Sequence, residues 1–200
     1  MRNAIKYIFD RIFALIGMIL AVPFFIIIPI VILSGSKGPV FFRQKRVGKN
    51  GKLFTMVKFR TMSVNDSSNT VTAKFDSRIT REGDFLRKWK LDELPELFNV
   101  LIGDMSFVGP RPDVPGYADN LAGDDRKMLQ LRPGITGPAT LKYLDEEEVL
   151  ATVPNPNQYN DEVIFPDKVR INLKYLETHS LTGDIKIIID TLLRKKYHDY

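Results

Sequence analysis

The sequence predicts an α+β protein that is mainly helical and begins with a membrane-anchoring segment. Three patterns predict this class: a long uncharged apolar run near the N-terminus, two phenylalanine-containing segments separated by an Asn-Gly turn, and later segments with helical spacing of apolar residues. A chain of 200 residues suits one folded domain. Because the hydrophobic fraction is only 44%, any membrane segment is expected to be local.

The membrane segment runs from Ile12 to Leu33 and contains no charged residue. About 22 residues at about 1.5 Å per residue would cross the roughly 30 Å of hydrocarbon in a bilayer. No small-residue cleavage site follows the run, so it is interpreted as a retained anchor rather than a signal peptide. Pro23 lies near its middle and removes a backbone donor, which predicts a break in the helix at mid-depth.

Positive charges flank this segment on both sides. They are Arg2, Lys6 and Arg11 before it, and Lys37, Arg43, Lys45 and Arg46 after it. Because lysine and arginine favour the cytoplasmic side, both ends are expected there. A re-entrant helix-break-helix that enters and leaves by one leaflet satisfies both flanks, whereas a kinked spanning helix is the alternative. We therefore predict a re-entrant anchor over residues 1–36 and a cytoplasmic domain over residues 37–200.

A small β-hairpin is predicted directly after the anchor. Segments 40–46 and 52–61 combine valine and phenylalanine with alternating polar residues. Between them lies Lys49-Asn50-Gly51, in which Asn-Gly favours the positive φ angles of a tight turn. The remainder of the chain is expected to be mainly helical.

Two amphipathic helices are predicted near the C-terminus, over residues 167–177 and 184–194. In the first, Val169, Leu173 and Leu176 are spaced to share one face. The second ends in basic residues, which would suit a helix lying on an anionic membrane surface. Packing against the core with a solvated basic end is the alternative.

Two adjacent carboxylates, Asp92 and Glu93, precede a strong helical pattern. Asp92 is predicted to cap this helix, Pro95 is tolerated in a first turn, and the apolar spacing ends at Gly103. The positive end of such a helix attracts phosphate and keeps a nearby carboxylate ionised, as an attacking aspartate requires. In the alternative, Asp92 only caps the helix and Glu93 only complements its dipole.

Five positively charged side chains are candidates for phosphate binding near these carboxylates. They are Lys58, Arg60, Arg87, Arg111 and Arg132. Guanidinium groups match phosphate oxygens with paired hydrogen bonds. Arg111 lies in a stiff Gly-Pro-Arg-Pro segment, which suits a preorganised binding group. For each residue taken alone, a solvated surface position is the alternative.

The sequence disfavours several other classes of protein. It has no cysteine, which excludes disulfides, thiolate nucleophiles and cysteine-ligated metals. It lacks the phosphate-binding loop of NTPases and the dinucleotide fingerprint. His179 and His198 accompany neither a serine elbow nor a zinc-binding helix, so both are interpreted as surface groups. The net charge of +5 favours polyanionic partners, but nucleic acid is not expected because the positive residues form no recognition motif.

Three motifs resemble, in the same order, those of the monotopic phosphoglycosyl transferases, a group of bacterial sugar transferases. They are KFRTM at residues 58–62, LDELPELFNVLIGDMSFVGPRP at residues 91–112 and RPGITG at residues 132–137. The apolar anchor lies at the same position in the chain as in the family. Its proline follows a valine, Val22-Pro23, where the family often has Ser-Pro. The resemblance covers nearly the whole chain and implies a small, minimal catalytic form.

The resemblance implies a two-step exchange at the cytoplasmic face of the bacterial inner membrane. Asp92 would attack the β-phosphate of a UDP-sugar and release UMP, and polyprenyl (undecaprenyl) phosphate would then take the phosphosugar. Glu93 would assist proton transfer or site geometry, and Mg²⁺ would bind near Asp92. Arg87 and Arg111 align with phosphate-binding positions of the family.

The remaining expectations concern less specific roles and partners. Lys58, Arg60 and Arg132 match motif positions of the family, and a re-entrant anchor broken at a residue equivalent to Pro23 belongs to it. Membrane phospholipid is a further expected partner, and an oligomer is compatible with the sequence. The alternative function is a non-enzymatic membrane-surface adaptor that binds anionic lipid.

Overall fold

The computed structural model describes residues 2–63 and 78–195, which are mainly helical. The helices are α1 (Arg2–Gly35), α2 (Arg81–Lys88), α3 (Glu96–Ile102), α4 (Pro138–Lys142), α5 (Glu146–Thr152), α6 (Pro156–Tyr159), α7 (Phe165–Thr178) and α8 (Leu181–Leu192). The strands are β1 (Phe41–Val47), β2 (Leu53–Phe59), β3 (Ser106–Val108) and β4 (Gly134–Thr136). The predicted α+β class, with its long apolar N-terminal helix, is confirmed.

Helix α1 continues without interruption through Pro23 and Pro29, where the sequence predicted a break. A proline removes one backbone donor and crowds the preceding turn, but the hydrogen bonds on either side can hold a helix together. The predicted separation into two helices at Pro23 is therefore wrong, whereas a bend at Pro23 within one helix stays a prediction. An 18-residue window within Ala4–Gly35 has a mean hydropathy of 3.0, and the helix is long and apolar enough to cross a membrane.

One stripe of α1 packs against the rest of the molecule along most of the helix. Its buried members recur at helical spacing and are Lys6, Asp10, Ala14, Ala21, Ile28 and Ile32. Ala14 packs in a core cluster with Val100, and Ile32 packs with Phe59 and Leu86. Both ends of α1 therefore contact the same folded body. Its other faces expose large apolar side chains.

Strands β1 and β2 form the predicted antiparallel hairpin, in which Phe41 pairs with Phe59. A short 3₁₀ turn, Lys49–Gly51, connects them. Asn50 has a φ of 58° and Gly51 a φ of 78°. Asparagine and glycine are the residues that adopt this left-handed region at least cost, so the turn prediction is confirmed.

Strands β3 and β4 form a second, parallel pair that the sequence did not predict. Val108 lies opposite Thr136 in this pair. Just beyond β3, a Cβ atom on Gly109 would lie 2.3 Å from the carbonyl oxygen of Arg132, so only glycine permits this approach. Strands of three residues carry too little alternation for a sequence pattern to reveal them.

The helix that follows the paired carboxylates begins later than predicted. Leu91–Glu93 form a separate 3₁₀ turn, and α3 begins at Glu96. Asp92 thus lies inside the turn and does not cap α3, which corrects the predicted N-cap. Pro95 has no N–H to donate, so the regular α-helical ladder starts only after it. Gly103, with a φ of 92°, ends the helix as predicted.

Both predicted C-terminal helices are present as α7 and α8, but α8 has an unusual distribution of polarity. Its buried residues are Asp184, Ile187 and Asp190. Its exposed face carries large apolar side chains, namely Ile185, Ile189 and Leu192. Leu192 is 78% exposed, so the apolar face of α8 does not pack on the core of this chain.

The prediction that His179 is a surface group is wrong. The residue follows α7 and is only 5% exposed. Its Nδ1 atom lies 3.0 Å from the carbonyl oxygen of Leu176, and its ring lies 5.6 Å from that of Tyr175. The turn into α8 folds the imidazole inward, which helical spacing alone does not reveal. His198 lies outside the described residues.

Candidate active site

Contact between β2 and α3 assembles the candidate active site, and Asn99 of α3 makes the link. Its amide nitrogen donates to the carbonyl oxygen of Thr55 at 2.8 Å, and its amide oxygen accepts from the backbone N–H of Val57 at 3.2 Å. Asn99 is buried, and these bonds satisfy its polar side chain. The next residue of β2, Lys58, is thereby held against the turn at residues 91–93.

Lys58 joins two carboxylates. Its Nζ atom lies 2.7 Å from Glu93 Oε1 and 3.1 Å from Glu96 Oε1. The three side chains are 14%, 11% and 4% exposed, respectively. Removing one partner from such a buried group would leave an uncompensated charge, so the three hold one another in place. Burial also raises the pKa of Glu96.

Arg111 contacts the same oxygen of Glu93: its Nη2 atom lies 3.2 Å from Glu93 Oε1. The backbone around Arg111 is held on both sides. The carbonyl oxygen of Pro110 accepts from a backbone N–H of β4 at 2.8 Å, and that of Pro112 accepts from the guanidinium of Arg46 at 3.1 Å. The half-exposed side chain of Arg111 therefore extends from a preorganised backbone towards solvent.

Asp92 differs from its neighbour, because its carboxylate makes no hydrogen bond or ion pair with another side chain in the part of the chain that the structure describes. Burial and then the charge of Glu93 raise the pKa of Asp92 to about 6, against the opposing charges of Lys58 and Arg87. Burial would also raise the pKa of Glu93, but the charges of Arg111 and Lys58 outweigh it and hold that pKa well below its usual range.

These environments give the two carboxylates different chemical capacities. Glu93 is ionised and held by two cations, so it can orient Lys58 and Arg111 but is a poor proton carrier at neutral pH. Asp92 is ionised above pH 6 and uncommitted, so its oxygens are available to attack an electrophile or bind a cation.

The carboxylates at the site fit Mg²⁺ only if a substrate supplies further oxygen ligands. Among the residues that the structure describes, no group of three histidine or acidic side chains could hold a metal ion. Mg²⁺ commonly uses one or two carboxylates, phosphate oxygens of the substrate and several waters. Asp92 can supply such a carboxylate, whereas Glu93 and Glu96 are engaged by Lys58.

Two of the predicted phosphate-binding arginines are held elsewhere. Arg60 is 5% exposed and donates to three backbone carbonyls within residues 36–39. The Cζ atom of Arg132 lies 3.9 Å from the ring centroid of Tyr7. Arg60 thus holds the chain where it leaves α1, and Arg132 holds the first turns of α1. Neither guanidinium contacts the paired carboxylates in the described structure.

Four polar residues at the site were missed by sequence reasoning: Arg46, Glu96, Asn99 and Asp113. Burial raises the pKa of Asp113 to about 6, and burial followed by the charge of Arg111 lowers the pKa of Arg46. The sequence pattern could have revealed Glu96 and Asn99, because two polar residues three positions apart share one side of an otherwise apolar helix. It could not have revealed Arg46 and Asp113, since segments distant in sequence bring them together.

Residues 1–196 match the bacterial sugar transferase family. The chain belongs to this family. The match spans the anchor, the hairpin and the carboxylate site together, so it confirms the resemblance that the three sequence motifs indicated.

This bacterial sugar transferase has relatives whose names include different sugars. It is 39% identical over 196 residues to the UDP-glucose:undecaprenyl-phosphate glucose-1-phosphate transferase of Xanthomonas campestris pv. campestris, covering 94% of this chain and 38% of that protein. It is 36% identical over 168 residues to galactosyl transferase CpsE of Streptococcus agalactiae serotype III (strain NEM316), covering 78% of this chain and 34% of that protein.

A third relative is similar over nearly its full length. The exopolysaccharide production protein PSS of Rhizobium leguminosarum bv. phaseoli is 33% identical over 198 residues, and the alignment covers 94% of each chain. The present chain spans well under half the length of the Xanthomonas and Streptococcus relatives. The part shared with all three contains the described carboxylate site.

Proposed function

We propose that this bacterial sugar transferase moves a phosphosugar from a UDP-sugar to polyprenyl (undecaprenyl) phosphate, with release of UMP. The observation that carries the proposal is the uncommitted carboxylate of Asp92, which lies near Lys58. The adjacent Glu93 contacts both Lys58 and Arg111 and holds them in place. The name of the Xanthomonas relative, a UDP-glucose:undecaprenyl-phosphate glucose-1-phosphate transferase, supports the same classes of donor and acceptor.

In the first step, a carboxylate oxygen of Asp92 attacks the β-phosphorus of the UDP-sugar. The bond between that phosphorus and the bridging oxygen breaks, and UMP leaves with the electron pair on its phosphate oxygen. An acyl phosphate then joins Asp92 to the sugar phosphate. Lys58 and Arg111 supply positive charge where the diphosphate develops negative charge, which is the usual form of catalysis in phosphoryl transfer.

In the second step, a phosphate oxygen of polyprenyl phosphate attacks the phosphorus of the acyl phosphate. The bond from Asp92 to phosphorus breaks, the carboxylate is regenerated, and a polyprenyl diphosphate sugar forms. The attacking group is already an anionic phosphate, so this step requires no general base. Lys58 and Arg111 keep Glu93 ionised, so Glu93 positions these two cations and does not transfer a proton. Maintaining the geometry of the site is one of the two roles that the resemblance implied.

We propose Mg²⁺ as the cofactor, with Asp92 as its protein ligand and the substrate diphosphate completing the site. When bound, the ion would neutralise charge on the diphosphate. Arg87 is close enough to Asp92 to lower its pKa, which places a guanidinium beside the same carboxylate for binding substrate phosphate.

We further propose that residues 1–36 anchor the chain to the cytoplasmic face of the bacterial inner membrane and that residues 37–200 form the catalytic domain. Exposed apolar residues outside α1 support a membrane-facing surface; they include Phe85, Trp89, Phe98, Ile102, Ile185, Ile189, Leu192 and Leu193. The contacts at both ends of α1 support re-entry with a bend at Pro23, because in a spanning arrangement the folded body that both ends contact would have to extend across about 30 Å of hydrocarbon.

The function is tested with the purified full chain in lipid nanodiscs, undecaprenyl phosphate, Mg²⁺ and a panel of UDP-sugars. UMP release is expected with at least one donor and should be absent in Asp92→Asn. With donor labelled in the sugar phosphate and no acceptor, about one equivalent of label should remain on the wild-type protein and none on the variant. No UMP from any donor, together with binding to anionic vesicles, would favour the adaptor alternative.

A further inference from the structure

Helix α1 contacts both segments that supply the candidate active site. One is β3, which leads through Gly109 and Pro110 to Arg111. The other is α3, which follows Asp92 and Glu93. The two segments meet where Arg111 Nη2 lies 3.2 Å from Glu93 Oε1. The anchor helix is therefore placed to influence the spacing between them.

Asp10 links α1 to β3. Its Oδ2 atom accepts from Ser106 Oγ at 2.7 Å, and the backbone N–H of Phe107 also donates to its carboxylate. Ser106 and Asp10 are 0% and 7% exposed, so water cannot replace the bond between them. The Ser106 hydroxyl also lies 3.1 Å from the carbonyl oxygen of Val108, within β3. Lys6 balances the charge of Asp10 at 3.8 Å and pairs with Asp184 of α8 at 2.6 Å.

Gly17 and Ala14 place α1 against α3. A Cβ atom on Gly17 would lie 3.4 Å from Leu97 Cδ1, so the two helices are already in close contact there. Ala14 is fully buried and packs in one core cluster with Val100 of α3. A large side chain at Gly17 would have to displace α3 or α1.

We propose that Asp10 and Gly17 are positioning residues, which hold β3 and α3 against one helix and thereby set the distance between Arg111 and the Asp92–Glu93 pair. The inference rests on the proposed phosphoglycosyl transfer, in which these groups act on one substrate. Misplacing cooperating groups by about 1 Å can lower a rate by about 10²-fold. Helix α1 thus contributes to catalysis as well as to membrane attachment.

The β3 contact is tested with substitutions that preserve packing. Ser106→Ala removes the hydroxyl that Asp10 accepts from, and kcat for UMP release is expected to fall about tenfold. Asp10→Asn keeps an acceptor oxygen and should retain most activity, whereas Asp10→Val should lose as much as Ser106→Ala. Ser34→Ala is the matched control, because that exposed hydroxyl donates within α1, to the carbonyl oxygen of Val31 at 2.8 Å.

A double-mutant cycle separates positioning from a general loss of stability. If Ser106 acts through Arg111, Ser106→Ala should lower kcat less than about twofold in an Arg111→Lys background. Equal losses in the two backgrounds would overturn the inference. So would an unchanged kcat in Ser106→Ala.

A measurement without turnover distinguishes failure of this inference from failure of the proposed function. The Gly109 N–H donates to the carbonyl oxygen of Thr136 at 2.9 Å. Hydrogen exchange in the peptide containing Gly109 should be faster in Ser106→Ala than in wild type or Ser34→Ala. Unchanged exchange overturns the link between α1 and β3, whereas a wild type that releases no UMP overturns the proposed function.

The α3 contact is tested by adding volume to opposite sides of α1. Gly17→Leu is expected to lower kcat at least about tenfold, and Gly17→Ala should have a smaller effect because its Cβ just fits. Val22→Phe is the matched control, since Val22 is 51% exposed, whereas Gly17 lies against Leu97 of α3. Comparable activity in Gly17→Leu and Val22→Phe would remove Gly17 from the positioning residues.

Discussion

The ammonium group of Lys58 lies 2.7 Å from a carboxylate oxygen of Glu93, and both side chains are largely buried. The hairpin and the turn at residues 91–93 are thereby joined by one ion pair, and Glu96 lies 3.1 Å from the same ammonium group. Because Glu93 also contacts Arg111, the pair connects two of the cations proposed to act on the substrate diphosphate.

Lys58→Met should therefore lower both stability and activity. Two buried carboxylates lose their shared cation, so the free energy of unfolding is expected to fall by about 3 kcal/mol and kcat/KM at least about a hundredfold. Adding Glu96→Gln to this variant should restore part of the melting temperature but none of the activity. An unchanged melting temperature in Lys58→Met would contradict the buried ion pair.

Asp92→Asn should abolish UMP release without destabilising the protein. Because the folded-state pKa of Asp92 is raised to about 6, ionisation of this carboxyl opposes folding at neutral pH, and a neutral amide removes that cost. The variant should melt at a higher temperature than wild type at pH 8. The difference should shrink as the pH falls from about 6 towards 4, where the folded wild type is already protonated.

The matched control for that stability measurement is Asp124→Asn. Asp124 pairs with Lys127 at 2.8 Å on the surface, and hydrogen bonding to Lys127 lowers the pKa of Asp124. Its amide variant should not gain stability at pH 8. A gain of equal size in both variants would mean that net charge, rather than the environment of Asp92, explains the result.

The pH dependence of kcat/KM should show an acid limb near pH 6. Below that pH, Asp92 of the free enzyme is protonated and cannot attack phosphorus, so the rate should fall about tenfold per pH unit. Asp113 also has a pKa raised to about 6, so Asp113→Asn is the necessary control. The limb should persist in that variant; its disappearance would assign the titration to Asp113.

Removal of divalent metal should stop the reaction. Excess chelator is expected to abolish UMP release, and added Mg²⁺ should restore it, because a diphosphate beside Asp92 requires a hard cation. Calorimetric binding of the UDP-sugar should be Mg²⁺-dependent in wild type and much weaker in Asp92→Asn. Full activity in excess chelator would refute the proposed cofactor.

Cysteine labelling tests the topology, because the native chain has no cysteine. Asn3→Cys and Ser36→Cys are probed separately with a membrane-impermeant thiol reagent. Re-entry predicts that both positions are protected in intact cells and labelled in inverted vesicles. Pro23→Leu should keep this pattern, since packing at both ends of α1, rather than the proline, holds the helix. Opposite labelling of the two positions would establish a spanning helix.

Local sequence patterns were sufficient for much of the fold. The turn at Asn50-Gly51, the end of α3 at Gly103 and the long apolar helix each depend on interactions within a few residues. The family motif at residues 91–112 is similarly local. The assigned N-cap at Asp92 failed because a separate 3₁₀ turn precedes Pro95.

By itself, the sequence determined which residue types are present for phosphate chemistry and that an apolar helix precedes them, because composition and periodicity carry that information directly. Only the tertiary structure decided that Lys58 and Arg111 meet at Glu93, whereas Arg60 and Arg132 hold the two ends of α1. The reason is physical: all four side chains carry the same charge, and their roles depend on which acceptor, carbonyl or ring the folded chain places within a few ångströms of each.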